Sequence, residues 1–324
     1  MMYLFKNLKE VHDPFYQQTF SIYPWEYELL QTKTLKRLKY LSHYGTGSLI
    51  TSVKHSRFEH TIGVWTIIST FFPKEEELRI AALLHDIGHL PFSHAVEHPL
   101  GLNHHTITEE YIRGEEVARI LRKYDFLPEK IIDLLNQDTP LSHKTAYLSA
   151  DHLDSFLRDA YMLGRLDRRP AQMIQSIYFE DKYVEADLTT SREIMSALYH
   201  DHCSFLHPTL LALDYLLSKA ISIYATEKAQ TTEVIKTLTN NELIHLLVHS
   251  RIESVEEIMS IVMWEPERIM VHDHLVDGAE TIEVRKVYDK SPLVDGEKLT
   301  SICADSHKLL EEIRSLKKVY YISY

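Results

Sequence analysis

The sequence predicts a mainly α fold that carries a small α/β appendage at its C-terminal end. Three observations support this. Apolar residues recur at helical spacing through most of the chain, glycine is scarce at 9 residues in 324, and the texture changes after about residue 268. From there alternation, turn residues and β-formers take over. The expected division is a helical body over 1–267, with the chemistry-bearing motifs inside 55–165, and an appendage over 268–324.

The elements follow in order. Residues 11–24 (VHDPFYQQTFSIYP) suit a short hairpin. Leu35, Leu38 and Leu41 recur within TLKRLKYLSHYG, a helix for which Gly45 offers the stop. ELRIAALLHDIGH reads as a buried helix, preceded by the acidic run Glu75 to Glu77, which suits the positive end of a helix dipole. Thr108 to Tyr124 and Pro128 to Asn136 read as two amphipathic helices, and AYLSADHLDSFLRDAYMLG as another that Gly164 closes. Ser191 to Tyr199 and His207 to Thr226 are helical in pattern. In the appendage TIEVRKVYD alternates as a strand, SPLVDGEKL holds turn residues, HKLLEEIRSLKK is a charged amphipathic helix and KVYYISY is rich in β-formers.

Composition narrows the function. A formal charge of −12 argues against a nonspecific grip on nucleic acid, which depends on clustered Lys and Arg. Small anions stay open to it, because a metal ion or a few arginines can reverse the local field. Two cysteines, Cys203 and Cys303, form no CxxC, so neither a disulfide framework nor a thiolate zinc site is expected. No run approaches the ~18 apolar residues of a membrane span. MMYLFKNLKEVHDPF lacks the apolar centre of a signal peptide, so a cytoplasmic protein without membrane partners is expected.

The 20 histidines are clustered. LLHDIGHLPFSH (Leu83 to His94) runs from an apolar segment straight into titratable groups that are costly to bury without partners. His85 and Asp86 converge on one ion only near a helix end, and Gly88 and Pro91 supply that end. Upstream, HSRFEH sets Arg57 one helical turn before His60; downstream, ADHLDSFLRDA sets Asp151 and Arg158 on one face. Imidazole with carboxylate suits Zn, Fe, Mn, Ni or Co better than Ca. Three or four such ligands with an open position describe a catalytic ion. YHDHCSFLHP offers His200, His202, Cys203 and His207, but His200 and His202 point to different helix faces. Solvated histidines and one packed His207 are the expectation there.

Taken together, HSRFEHTIGV, ALLHDIGHLPFSHAVE and SADHLDSFLRDAYMLG resemble the HD superfamily of metal-dependent phosphohydrolases, and most of all its deoxynucleoside triphosphate triphosphohydrolase branch. The resemblance covers roughly residues 8–225 and implies an HD-domain helical bundle. It implies one divalent transition metal (Fe, Mn, Ni, Co or Zn) held by His60, His85, Asp86 and Asp151, with Mg accompanying the substrate phosphates. It places His89, His94 and His104 along the phosphate pocket, His104 as proton donor to the leaving group, or His105 if the register is off by one. Glu97 takes the position of a carboxylate that orients a catalytic imidazole. Arg57 takes that of the phosphate clamp. Asp159 matches a position that contacts a sugar hydroxyl.

Other positions depart from the branch. His152 and Ser155 stand where a lysine or arginine and a tyrosine are usual, His43 where a glutamine is common, and Phe205 where a tyrosine is frequent. The expected substrate is a small phosphorylated molecule, a nucleotide first, with His152 among its contacts. The alternatives are a nucleotidase or phosphodiesterase on another ester, or a nucleotide-binding scaffold without turnover. A homo-oligomer is implied by the resemblance alone.

Overall fold

The computed structural model describes residues 5–7, 10–228, 232–284 and 286–324. Strands β1 (Glu10–Asp13) and β2 (Gln18–Ser21) form the hairpin expected over 11–24, with Phe5–Asn7 added at its edge. Leu35, Leu38 and Leu41 are all buried, but the helix beneath them is short. Lys33–Arg37 passes into a single 3-10 turn at Leu38–Tyr40, and Gly45 lies beyond it in a left-handed turn with φ +54°.

Helix α1 (Arg57–Phe71) runs through the core and is buried almost all round. A reciprocal cap starts it: Glu59 N–H donates to Ser56 Oγ and Ser56 N–H to Glu59 Oε2. Helix α2 (Glu76–Leu84) packs against it. The expected helix over ELRIAALLHDIGH therefore stops one residue before His85. Residues 85–93 turn instead, because His85 Nδ1–H bonds back to the Ala82 carbonyl at 2.8 Å and Gly88 brings its backbone against the next helix. A Cβ on Gly88 would come within 2.3 Å of the His104 carbonyl oxygen and the Thr108 nitrogen, so no larger residue fits there.

Helices α3 (His94–Leu100) and α4 (His104–Arg113) follow. The single helix expected over Thr108 to Tyr124 is broken: the chain is extended at Gly114 (ψ 148°), and a second helix, Glu115–Lys123, carries the pattern on in a new direction. Helix α5 (Ala150–Met162) packs on α1 across Gly63, where a Cβ would stand 1.9 Å from Asp154 Oδ1. Helices α6 (Leu188–Phe205) and α7 (Pro208–Lys228) complete the elements around the site. Buried side chains form two apolar clusters, one around α1, α2 and α5 and one around α7.

Residues 268–324 are woven into this body. The hairpin β3 (Ile177–Glu180) and β4 (Tyr183–Ala186) is extended by β5 (Leu293–Val294), parallel to β4, and then by β6 (Glu297–Lys298). Helix α8 (Ala304–Ser315) packs on α6. Strand Val319–Ser323 pairs with Met270–His272 and Glu280–Glu283 on either side. TIEVRKVYD is thus a strand only at its start; Arg285 lies outside the described residues. Residues 286–291 then cross the body without strand pairing, apart from a bridge between Ser291 and Tyr147.

Candidate active site

Three elements deliver the donors expected to hold a metal. His60 comes from α1, His85 and Asp86 from the turn after α2, and Asp151 from the first turn of α5. His60 Nε2 lies 3.1 Å from Asp151 Oδ1 and 3.4 Å from His85 Nε2, and His85 Nε2 lies 3.5 Å from Asp86 Oδ1. Donor atoms of His60, His85 and Asp151 all fall within 4.8 Å of one another. Each imidazole has its other nitrogen engaged: His60 Nδ1–H donates to Asp154 Oδ2 at 2.9 Å, and His85 Nδ1–H to Ala82. That fixes both Nε2 lone pairs on the same point, the arrangement seen around bound metal ions. The donor set and its outer partners fit a divalent transition ion.

The charges agree. Burial works against ionising Asp86, but His89, His85 and Arg57 outweigh it and hold the carboxyl well below its usual range. Asp151 is lowered against burial by His60, His152 and His85. For His60 itself, burial disfavours the cation, but hydrogen bonds to Asp151 and Asp154 push the imidazole up to about 9. The pocket floor is built to stabilise positive charge.

Beside this floor lies a rim of Arg57 and three histidines, where burial and the Arg57 charge hold His89 well below the usual imidazole range. Arg57 Nη1–H donates to Asp86 Oδ2 and Nη2–H to Ser93 Oγ, both at 2.6 Å. Its buried Nε has no hydrogen-bond partner among the described residues. Ser93 and Phe92 both adopt positive φ (55° and 54°), an uncommon conformation that holds the hydroxyl at Arg57. His89 Nε2 sits 3.2 Å from Asp86 Oδ1 and its ring stacks on His104 at 4.0 Å. His104 Nδ1 donates to Glu97 Oε1 at 2.8 Å, and His94 Nδ1 lies 3.4 Å from the same oxygen. Burial opposes the charge of Glu97, but these two imidazoles hold the carboxyl well below its usual range. His94 is 66% exposed at the rim. His105 makes no contact with Glu97 in this arrangement, though its ring lies 4.0 Å from that of His104.

The opposite wall is different in kind. His152 is tied through Nδ1 to Ser149 Oγ at 2.6 Å, and burial takes its pKa down to about 3, with the nearby Lys290 adding to the shift against the pull of Asp151. A neutral imidazole therefore stands where a permanent cation was usual. Asp159 is buried with Asp201, and burial together with the Asp201 charge raises it well above the usual range. Burial likewise pushes Asp201 up to about 7. His55 Nε2 approaches Asp159 Oδ1 at 3.5 Å, and the His43 ring lies between those of His55 and His60, at 4.8 and 4.2 Å. His43 Nε2 is 3.4 Å from Ser155 Oγ. Phe205 packs edge-on against Tyr44, with ring centroids 5.2 Å apart.

One sequence expectation gains detail and one needs correcting. Asp151 and Arg158 share a face of α5 but stand two turns apart; Arg158 forms its buried pair with Asp154, at 2.9 and 3.0 Å, because residues four apart lie only about 6 Å apart along the axis. In YHDHCSFLHP the packed histidine is His202, whereas His207 is exposed. His202 Nδ1–H donates to the Leu198 carbonyl and Nε2 accepts the Tyr288 N–H, so no nitrogen is left for a metal. Asp154, Ser93, Asp201 and Tyr288 escaped sequence reasoning. Only Asp154 carried a signal, its i,i+4 spacing to Arg158.

Comparison with known proteins agrees with this geometry. Residues 57–174 match the family model of the HD domain. An uncharacterized protein of Mycoplasma pneumoniae is 26% identical over 55% of this chain and 52% of its own length. The metal-dependent phosphohydrolase cns2 of Cordyceps militaris is 30% identical over 51% of this chain and 49% of its own. A deoxynucleoside triphosphate triphosphohydrolase SAMHD1 homolog of Dictyostelium discoideum is 29% identical over 43% of this chain and 33% of its own. The chain thus spans about half the length, or less, of these relatives. Two solved structures share the fold throughout. A Bacteroides thetaiotaomicron phosphohydrolase has a TM-score of 0.71 at 17% identity, covering 98% of this chain and 99% of that one. An Aquifex aeolicus hypothetical protein has 0.73 at 23% identity, covering 97% and 95%. The fold is the mainly α HD-domain fold, with metal-dependent phosphohydrolases among its homologues. Among the described residues no helix is long and apolar enough to cross a membrane.

Proposed function

We propose that the chain hydrolyses a nucleotide, a deoxynucleoside triphosphate first, to a nucleoside and triphosphate with the help of one divalent transition metal. The observation that carries this reading is the junction of two half-sites on Asp86. One Asp86 oxygen faces the His60–His85–Asp151 donor cluster, and the other anchors Arg57, whose guanidinium opens toward the histidine rim. A phosphate seated between them meets a cation on each side.

The division of labour follows. His60, His85, Asp86 and Asp151 would hold the metal, which when bound supplies Lewis-acid polarisation of a phosphoryl oxygen and acidifies water. Arg57 neutralises charge building on the phosphate oxygens with a fork that Asp86 and Ser93 keep planar and aimed. His104, oriented by Glu97, donates its proton to the departing ester oxygen as water forms the new P–O bond and the old one breaks. His89, stacked on His104, closes the rim; His94 at its exposed edge meets the incoming anion. A scaffold without turnover has no use for the His104–Glu97 pair.

A second reading, a nucleotidase or phosphodiesterase on a different ester, is favoured by the wall that carries His152, Ser155 and Phe205. A site built to hydrogen-bond one substrate discriminates sharply, so these exchanges could redirect specificity without touching the metal half. The test is release of phosphate, pyrophosphate and triphosphate from a panel of nucleotides and simple esters with Mn, Fe, Co, Ni, Zn or Mg added, beside Asp86→Ala. Triphosphate from a deoxynucleotide, lost in the variant, is the expected result. Activity that survives Asp86→Ala would sink the assignment.

A further inference from the structure

The wall opposite Arg57 includes a residue that none of the motifs contains. Residues 286–291 form a strap laid against α5 and α6, tied down at several points. Lys290 Nζ donates to the carbonyl oxygens of His143, Thr145 and Tyr147 at 3.2, 2.9 and 3.2 Å. Ser291 N–H donates to the Ala146 carbonyl at 3.1 Å, and Arg314 holds Asp289 through two nitrogens at 2.6 and 2.8 Å. The segment gripped, 143–147, leads directly into the helix that presents Asp151 and His152. Strap and metal floor are therefore held in one fixed relation.

Tyr288 sits at the middle of the strap. Its backbone N–H is bound to His202 Nε2 at 2.9 Å, and its ring packs on His152, His202 and Phe156 at centroid distances of 5.1, 5.7 and 6.0 Å. Lys286 Nζ lies 4.6 Å from the ring centroid. The phenol is within electrostatic reach of Asp151, Asp201 and Arg57, and burial together with the two carboxylates pushes it up to about 12. It therefore stands between the metal floor and the Asp159–Asp201 pair and stays a neutral hydroxyl.

Around Tyr288 this half of the pocket presents two buried acids, Asp159 and Asp201, and a cluster of rings from Phe156, His152 and His202. Hydroxyl acceptors, a phenol and an aromatic face suit a neutral, partly aromatic group. We infer that Tyr288, fixed by the C-terminal strap, is a substrate-positioning residue that recognises the nucleoside half of the substrate, its hydroxyl by hydrogen bonding and its ring by packing. This inference rests on the nucleotide reading above.

The test separates the two. Binding is measured by calorimetry on cation-loaded full chain in the His104→Gln background, which removes the proton donor and keeps the metal ligands, with dATP and with inorganic tripolyphosphate as the nucleoside-free control. Tyr288→Phe should weaken dATP roughly threefold to tenfold, one hydrogen bond's worth, and Tyr288→Ala by about tenfold or more. Tripolyphosphate affinity and bound-metal content should stay near those of the parent in both variants, and the melting temperature should stay near it in Tyr288→Phe, which keeps the packed ring, whereas Tyr288→Ala loses that packing and melts lower. A preference for dATP over tripolyphosphate that both variants retain, or one absent from the parent, overturns the inference. So does a parallel loss of both ligands, which marks Tyr288 as structural. Failure of the nucleotide-hydrolysis reading would appear elsewhere, as no product from any nucleotide with His104 intact.

Discussion

The two walls of the pocket are built from different kinds of sequence. The metal floor and histidine rim come from residues 57–105 plus one turn of helix at 151–154, most of them inside three short motifs. The facing wall gathers His43, His152, Asp159, Asp201, Phe205 and Tyr288 from four separate segments. The first wall is charged and its groups are paired: His60 with Asp154, Arg57 with Asp86 and Ser93, His104 with Glu97. In the second, burial disfavours charge, taking His152 down to about 3 and Asp201 up to about 7. On the reading proposed above, one wall acts on a phosphate and the other recognises what the phosphate is attached to. Changes to the first should therefore move turnover and metal together, and changes to the second should move substrate choice or stability.

The largest effect expected of a change behind the floor is at Asp154, which touches no substrate. Asp154→Asn keeps the shape but removes the charge shared by His60 and Arg158. Outer partners of metal-binding histidines are typically worth about 10–100-fold in metal affinity or activity. A buried cation left without its partner adds about 3–5 kcal/mol of destabilisation. Metal content after dialysis against a chelator and the melting temperature should both fall. If metal retention is unchanged, His60 is oriented by something other than Asp154, and the floor does not depend on its charged partners.

The same contrast explains what the sequence made legible. The proposed ligands His60, His85, Asp86 and Asp151 were legible because three short motifs resemble those of a known superfamily, and helical or turn geometry brings their donor atoms together. The helical body and the hairpin at 11–24 were readable for a similar reason, local periodicity. The breaks were not. Nothing in ELRIAALLHDIGH says that the helix stops at Leu84; that follows from the backbone of Gly88 meeting α4, a contact between segments. Helix periodicity also ran unbroken through Gly114. Tyr288 was invisible because its role depends on Lys290 gripping carbonyls more than 140 positions earlier. Residues 283–289 read only as a strand.

A smaller effect is expected at Glu97, within the rim. Glu97→Gln still accepts a hydrogen bond from His104 but through a neutral amide oxygen in place of the carboxylate. Turnover should fall about tenfold, within the range typical for such orienting carboxylates, while metal content stays at the parent level. A loss of bound metal in this variant would mean that rim and floor are one unit, and the division of labour would fail on its own side of the pocket.

The smallest effect lies in the facing wall and concerns stability rather than rate. Asp201 is an acid whose folded pKa is raised, to about 7, by burial. The folded state therefore binds its proton more tightly than the unfolded chain, whose carboxyl titrates near 3.8. The contribution is fully present below about pH 4 and is lost as pH climbs toward 7, the opposite of an ion-paired carboxylate. A tenfold difference in proton affinity corresponds to about 1.4 kcal/mol, so a decline on the order of 1–3 kcal/mol between about pH 4.5 and 7.5 is expected from this carboxyl pair. Asp201→Asn, which keeps a hydrogen-bonding amide beside Asp159 and has no proton to lose, should flatten the fall in denaturation midpoint over that range. Bound metal should not change. An unaltered pH profile would mean that the pair stays ionised through contacts with solvent, and the wall would then be charged like the floor. A recognition surface for a neutral nucleoside requires the flattened profile, since two bare carboxylates beside a triphosphate would repel the very substrate the rim attracts.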